Sequence, residues 1–385
     1  MSDVHGQCAD RFEPVRQAFQ RNFDEGLDVG ASVVVTVEGE PVVDLWGGTL
    51  DDGTTPWVED TIINVWSTTK TMTALCALLL ADRGELDLHA PVARYWPEFK
   101  AGGKESVEVR HLLGHTAGLS GWAEPMTPED LYDWEKCCAV LAAQEPLWEP
   151  GTASGYHAIT QGYLVGEVVR RASGAESLGT FFRDELAGPL GADFHIGTPA
   201  SCDDRVAKVI PPPVLADQMA EVFAALGPDS VLVKTFANPA MDAAQSHSVE
   251  WRRAEIPAAN GHGNARSVAR VQSLMANHGE LDGTRLLSED GCRAVFEVQW
   301  DGAPDLVFGV PVKLGTGYGL TSEALPFGPN EHVHFWGGWG GSLVVVDQDA
   351  RVCTSFVMNK MGEGTLGDAR GAGIIAAVYE SLAAS

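Results

Sequence analysis

Trp66-Ser67-Thr68-Thr69-Lys70-Thr71-Met72-Thr73-Ala74-Leu75-Cys76-Ala77-Leu78-Leu79-Leu80-Ala81-Asp82-Arg83-Gly84 is the stretch on which the reading of this chain turns. Met72, Leu75, Cys76, Leu79 and Leu80 fall at helical spacing, and Gly84 supplies a C-terminal stop. The pattern predicts a buried amphipathic helix over Ser67–Arg83. At its start Ser67 and Lys70 are three residues apart, which puts hydroxyl and amine on one face. A serine hydroxyl is a poor nucleophile until a neighbour takes its proton, and a desolvated amine can help to do so. The helix start also offers unpaired backbone N–H groups for a developing oxyanion. A plainer reading stays open on the tetrapeptide alone: Ser67 caps the helix and Lys70 is solvated. Yet of the eight lysines only Lys70 follows a serine by three positions, and it heads the most apolar helix in the chain. A charge is out of place there.

Upstream, Phe12, Val15, Phe19 and Phe23 predict an opening helix over 11–25. Ala31–Val37 and Pro41–Trp46, joined by Glu38-Gly39-Glu40, read as a hairpin. Downstream, helices are expected near 107–113, 128–143, 158–172, 178–187 and 265–279. Residues 196–260 are the least regular part, with a rigid turn at Pro211-Pro212-Pro213. The last ninety or so residues hold β-rich runs, Leu343–Val346 and Val352–Met358, and a closing helix over Ala369–Leu382. This order suggests a unit built from both termini, 8–66 with 291–385. A mainly helical unit, 67–290, would carry the nucleophile helix, with a cleft at the junction.

The 385 residues carry 26 basic and 53 acidic side chains, a net charge of −27. That balance repels nucleic acid and anionic membrane surfaces, so neither is expected as a partner. Seven cysteines without a Cys-x-x-Cys pair read as reduced thiols. Met1-Ser2-Asp3-Val4-His5 shows no basic stretch followed by an apolar one, and no apolar run is long enough to span a bilayer. The expectation is a cytoplasmic protein.

Other frameworks are missing. Gly118-Leu119-Ser120-Gly121-Trp122 falls one residue short of a Gly-x-Ser-x-Gly elbow. The pairs His111/His115 and His332/His334 lack the further ligands of a zinc site, and no phosphate or dinucleotide loop occurs. Neither a metal nor an organic cofactor is expected.

Beyond Ser67-Thr68-Thr69-Lys70, several ordered segments carry a resemblance. They are Gly84-Glu85-Leu86-Asp87-Leu88, Val92-x-x-Tyr95-Trp96-Pro97, His111-Leu112-Leu113-Gly114-His115-Thr116-Ala117-Gly118-Leu119, and Pro150-Gly151-Thr152-x-x-Gly155-Tyr156-His157. Gly263-Asn264-Ala265-Arg266-Ser267-Val268-Ala269-Arg270 and Gly317-Tyr318-Gly319-Leu320 follow. From about residue 30 to its end the chain resembles the serine β-lactamase and penicillin-binding-protein superfamily. The resemblance implies an α/β plus all-α architecture, a β-lactamase-like fold with an antiparallel sheet flanked by helices and a helical subdomain. It also implies Ser67 as nucleophile, with Lys70 and Tyr156 as proton relay. Lys70 would lower the phenol enough to make it a base, and the oxyanion would sit between the backbone N–H groups of Ser67 and the strand residue Trp339.

The departures point to substrate. The second motif reads Tyr156-His157-Ala158 where the superfamily has asparagine in third place. Trp336-Gly337-Gly338 stands where it has Lys-Thr-Gly, although Trp339-Gly340-Gly341 is a second candidate triplet. This is similar to family VIII carboxylesterases, which share the fold and cleave esters. Without the cation and the amide, the pocket should favour neutral, apolar esters over anionic lactams. Trp336, Gly337, Gly338, His157 and Trp122 are the expected substrate-binding residues; Trp251 and Trp339 are further candidates. Core packing is equally open for Trp122 and Trp251, and His157 either tunes the neighbouring base or packs. Alternatives within the resemblance are a β-lactamase or D-Ala peptidase, and an acyltransferase using the same acyl-enzyme.

Overall fold

The computed structural model describes residues 3–212 and 216–384. Its main sheet has nine antiparallel strands. Their order across it is Val4–Cys8, Glu40–Gly48, Gly30–Val37, Val352–Met358, Leu343–Asp347, Val333–Gly337, Gly319–Leu320, Lys313–Leu314 and Trp300–Asp301. Segments from the two ends of the chain pair as its third and fourth strands, where Val33 lies opposite Phe356 and Ala31 opposite Met358. The hairpin and both β-rich runs are strands as the pattern predicts. The other strands escape a pattern-based reading, being two residues long, edge-exposed (Val4–Cys8), or interrupted by polar and aromatic residues (Val333–Gly337).

Successive side chains of a strand point to opposite faces, and both faces of this sheet are covered. Val33, Val35, Leu45 and Phe356 share a core with Val15 and Phe19 of the helix Glu13–Asp24 and Ile374 and Val378 of the helix Ala369–Ala383. Val34, Val344, Val346 and Cys353 join the larger core on the other side. Burial on both faces explains the near-continuous apolar runs of these strands. The helix Ala265–Ala276 lies against the second face, pinned by Ser273 Oγ 2.7 Å from Thr36 Oγ1. Asn264 caps its start, accepting from the Ser267 N–H at 2.9 Å.

The helix predicted for Ser67–Arg83 runs over Thr69–Asp82, preceded by a 3-10 turn at Trp66–Thr68. It is not amphipathic: every residue from Thr69 to Leu80 is buried. Thr160–Ser173, Leu178–Phe182 and Glu289–Arg293 pack around it, so no face is left for water.

Elsewhere the helix expected over 128–143 divides into a 3-10 turn, Pro128–Tyr132, and a helix, Trp134–Ala143. Asp133 between them is extended and caps the second piece through the Lys136 N–H. The 178–187 segment continues from Leu178–Phe182 into a wider π turn, Arg183–Ala187. The irregular 196–260 region contains short helices at Ala216–Leu226, Val231–Phe236 and Val249–Arg253. Pro213 of the expected proline turn lies outside the described residues. All seven cysteines are free thiols, and no helix among the described residues is long and apolar enough to cross a membrane.

Candidate active site

Ser67 lies in the 3-10 turn, two residues before the α-helix begins at Thr69, and not at the head of that helix as expected. The turn is entered through Trp66, whose φ of +48° is uncommon for any side chain other than glycine's and strained for a bulky one. The Trp66 ring is wedged between Trp251 (5.6 Å between centroids) and Trp339 (5.0 Å), which holds it there. Thr69 Oγ1 donates to the Trp66 carbonyl and accepts from the Gly261 N–H, tying the turn to the next layer.

Around Ser67 Oγ the geometry is tight. Lys70 Nζ stands 3.0 Å away, and the Tyr156 hydroxyl donates to Ser67 Oγ at 2.6 Å. Lys70 also donates to the carbonyls of Ala158 (2.7 Å) and Ala258 (2.9 Å) and lies 4.9 Å from the centre of the Tyr156 ring. Its side chain is wholly buried without a carboxylate partner among the described residues, and that desolvation drives its pKa well below the usual lysine value. A neutral amine has two hydrogens and one lone pair. With the hydrogens on the two carbonyls, the lone pair faces Ser67 Oγ.

Tyr156 departs from expectation. Burial raises its phenol above the ordinary value, outweighing the lowering by the neighbouring Ser67 and Trp336, and Asp305 raises it further. No lowering by Lys70 offsets this, and the burial that disfavours the phenolate disfavours the charged amine as well. Burial thus favours the uncharged form of both the phenol and the amine.

Trp336, next to last in the Val333–Gly337 strand, packs with Tyr156 (ring centroids 5.9 Å apart) and stacks on His115 (5.3 Å), whose ring also lies 5.3 Å from that of Tyr156. Gly338 follows, and a Cβ there would collide with the Val65 carbonyl and sit 3.2 Å from Ser67 N. Glycine is required for that approach. Gly337 is equally confined, by the backbone of Leu366 and Gly367. The first Trp-Gly-Gly triplet thus borders Ser67 and Tyr156. Trp339 is not a strand residue as expected: it lies in the turn between Val333–Gly337 and Leu343–Asp347, fixed by Gly338 N–H donating to Ser342 O and Arg370 donating to Gly340 O. The surrounding side chains, among them Val231, Phe236, Phe308 and Leu366, are apolar.

Two expected pocket residues are committed elsewhere. His157 is fully buried, with Nδ1 2.6 Å from the Gly155 carbonyl and Nε2 accepting from the Leu119 N–H at 3.0 Å. Burial lowers its pKa to about 3, and neither nitrogen is left for a substrate. Trp122 donates its indole N–H to the Cys137 carbonyl and packs on Tyr163, in the main core. Trp251 is also core, bonded to Asn64. Phe308, whose ring stacks on Tyr156 at 4.5 Å, and Asp305, which holds the Tyr156 backbone, were not singled out from sequence. Nothing in their local sequence marks them.

Asp193, His195 and Cys202 cluster with metal-ligand chemistry away from this centre. Arg205 already donates to both Asp193 oxygens and approaches Cys202 Sγ at 3.4 Å, so a guanidinium supplies the positive charge there.

Against known proteins, the Beta-lactamase family model matches residues 19–378. "Esterase/beta-lactamase LipL" of Mycobacterium tuberculosis is 36% identical over 364 residues, covering 93% of this chain and 83% of that protein. Among solved structures, a family VIII carboxylesterase superposes with a TM-score of 0.92 at 43% identity, over 98% of this chain and all (100%) of the other. A penicillin-binding-protein homologue from Caulobacter crescentus gives 0.91 at 38% identity, again over 98% and 100%. With this fold, and with a family match running almost from end to end, the chain belongs to the β-lactamase family.

Proposed function

We propose that this protein is a serine carboxylesterase that hydrolyses neutral, apolar esters through an acyl-enzyme on Ser67. The observation that carries the reading is Ser67 Oγ held between Lys70 Nζ at 3.0 Å and the Tyr156 hydroxyl at 2.6 Å, beside an apolar cluster. The esterase names of the 36% and 43% identical relatives support the choice of ester. So does Trp336 where a lactam carboxylate would want a cation.

In this mechanism Ser67 Oγ attacks the ester carbonyl while its proton passes to the lone pair of neutral Lys70. The oxyanion is received by the backbone N–H groups of Ser67 and Trp339, neither of which has a protein acceptor among the described residues. Tyr156, protonated in the free site, gives its proton to the departing alcohol and is resupplied from Lys70. Water then attacks the acyl carbon and gives a proton to the Tyr156–Lys70 pair; the bond from the acyl carbon to Ser67 Oγ breaks, Ser67 Oγ takes that proton back, and the acid leaves. The balance is ester plus water giving acid plus alcohol. On the proposed division of the chain, 67–290 supplies nucleophile and relay, and 8–66 with 291–385 supplies the Trp336–Trp339 wall. The free thiols favour a cytoplasmic setting.

The test is parallel hydrolysis of p-nitrophenyl butyrate and a chromogenic cephalosporin by wild type, Ser67→Ala and Tyr156→Phe. Fast ester turnover that both variants lose, with little lactam cleavage, is expected. Ester turnover surviving Ser67→Ala would sink the mechanism, and a preference for the cephalosporin would favour a β-lactamase.

A further inference from the structure

Asp305 lies in the connection between the Trp300–Asp301 and Lys313–Leu314 strands, and its side chain is buried without a cationic partner among the described residues. An isolated buried carboxylate is costly and persists only where donors replace water. Here Oδ1 accepts from three backbone N–H groups, those of Tyr156 (3.1 Å), Val307 (2.8 Å) and Phe308 (2.9 Å). Oδ2 accepts from the Ser154 hydroxyl, and the Leu306 N–H donates to the Ser154 carbonyl at 2.8 Å. Two segments far apart in the chain are thereby clamped by one side chain. The first carries Tyr156; the second carries Phe308, whose ring lies almost parallel to the Tyr156 ring (19°) at 4.5 Å.

We infer that Asp305 is a positioning residue for the reaction, clamping the Tyr156 and Phe308 segments so that the phenol meets Ser67 Oγ with one ring face shielded by Phe308. The inference rests on the reading of Tyr156 as relay. A neutral acceptor would serve three backbone donors as well, so the choice of a carboxylate calls for an electrostatic reason. Its negative charge adds to the burial that disfavours a phenolate there, and so favours the protonated Tyr156 needed by a departing alcohol. The other titratable groups around the ring do not offset this. Lys70 is driven towards the neutral amine, and His115 and His157 towards the neutral imidazole, by burial. Phe308 and Trp336 bring no charge.

The test compares Asp305→Asn, which keeps an acceptor oxygen but removes the charge, with Asp305→Ala, which removes both. Tyr156 ionisation is read by ultraviolet tyrosinate titration, its share taken as the difference on adding Tyr156→Phe. In Asp305→Asn the Tyr156 midpoint should fall towards the ordinary tyrosine value, and the alkaline fall of kcat/KM should move with it while the acid limb stays. Asp305→Ala should lose kcat roughly tenfold or more beyond Asp305→Asn. An unmoved midpoint in a folded Asp305→Asn enzyme overturns the electrostatic role, and equal kcat in the two variants overturns the clamp. If Tyr156→Phe alone keeps full ester turnover, it is instead the relay assignment that fails.

Discussion

Ser342 Oγ lies 2.9 Å from Thr68 Oγ1 and donates to the carbonyl of Val65 at 2.8 Å, so the turn holding Trp339 is stitched directly to the residues on both sides of Ser67. One hydroxyl couples the sheet to the nucleophile turn across the proposed oxyanion site. Replacing it leaves a buried carbonyl and a buried hydroxyl short of a partner. Ser342→Ala should cost about 1–3 kcal/mol of stability and lower kcat more than it raises KM, since only the charged tetrahedral intermediate needs both N–H groups in place. Thermal unfolding together with Michaelis kinetics on p-nitrophenyl butyrate checks both; unchanged kcat with lowered stability would detach Ser342 from the chemistry.

Lys70 is the base in the proposed mechanism only while neutral. Its folded-state pKa lies well below that of a free lysine, so the amine is deprotonated above that depressed value and protonated below it. Ester turnover should therefore fall with a slope of one as pH drops through it. Lys70→Arg, which cannot give up its proton in the working range, should lose roughly 10²–10⁴-fold in kcat at every pH. A variant retaining wild-type rate would mean that Lys70 only packs.

Four buried histidines make the fold acid-sensitive. Desolvation lowers His157, His262 and His334 to about 3, and His115 lies well below its ordinary value. The unfolded chain takes up these protons near pH 6.5 while the folded one refuses them, so stability is lost as pH falls from about 6.5 towards 3. Each group withdraws up to about 1.4 kcal/mol per pH unit in that window. His334 is the cleanest probe, because neither ring nitrogen has a partner among the described residues and the ring sits against Tyr318 (4.6 Å) and Phe296 (5.7 Å). His334→Leu should melt higher than wild type at pH 5 and show a shallower decline of Tm with acidification. A variant that melts lower at pH 5 would show that the imidazole contributes more through contact than it costs through protonation.

The sequence by itself determined what depends on short spacing. A three-residue step brings Ser67 and Lys70 together on any helix-like turn, and their separation is indeed 3.0 Å. Phe12, Val15, Phe19 and Phe23 made one stripe because helical periodicity is local, and the valine runs at 31–37 and 352–358 read as strands because both faces are buried. The second motif and the Trp-Gly-Gly triplets are visible as motifs, but the expectation that His157 and Trp122 line the pocket fails, because both are bonded to backbone groups in the core.

Only the tertiary structure decided the rest. Asp305 reaches Tyr156 across 149 residues, a pairing that no periodicity encodes. His157 adjoins Tyr156 in sequence but spends both ring nitrogens on backbone partners, which is a matter of what packs over it. The electrostatics of the relay were decided in the same way. A lysine beside a phenol suggests a cation lowering a base, whereas burial of both favours the uncharged form of each. Spacing along the chain sets which groups can meet; the water that folding removes sets their charge when they do.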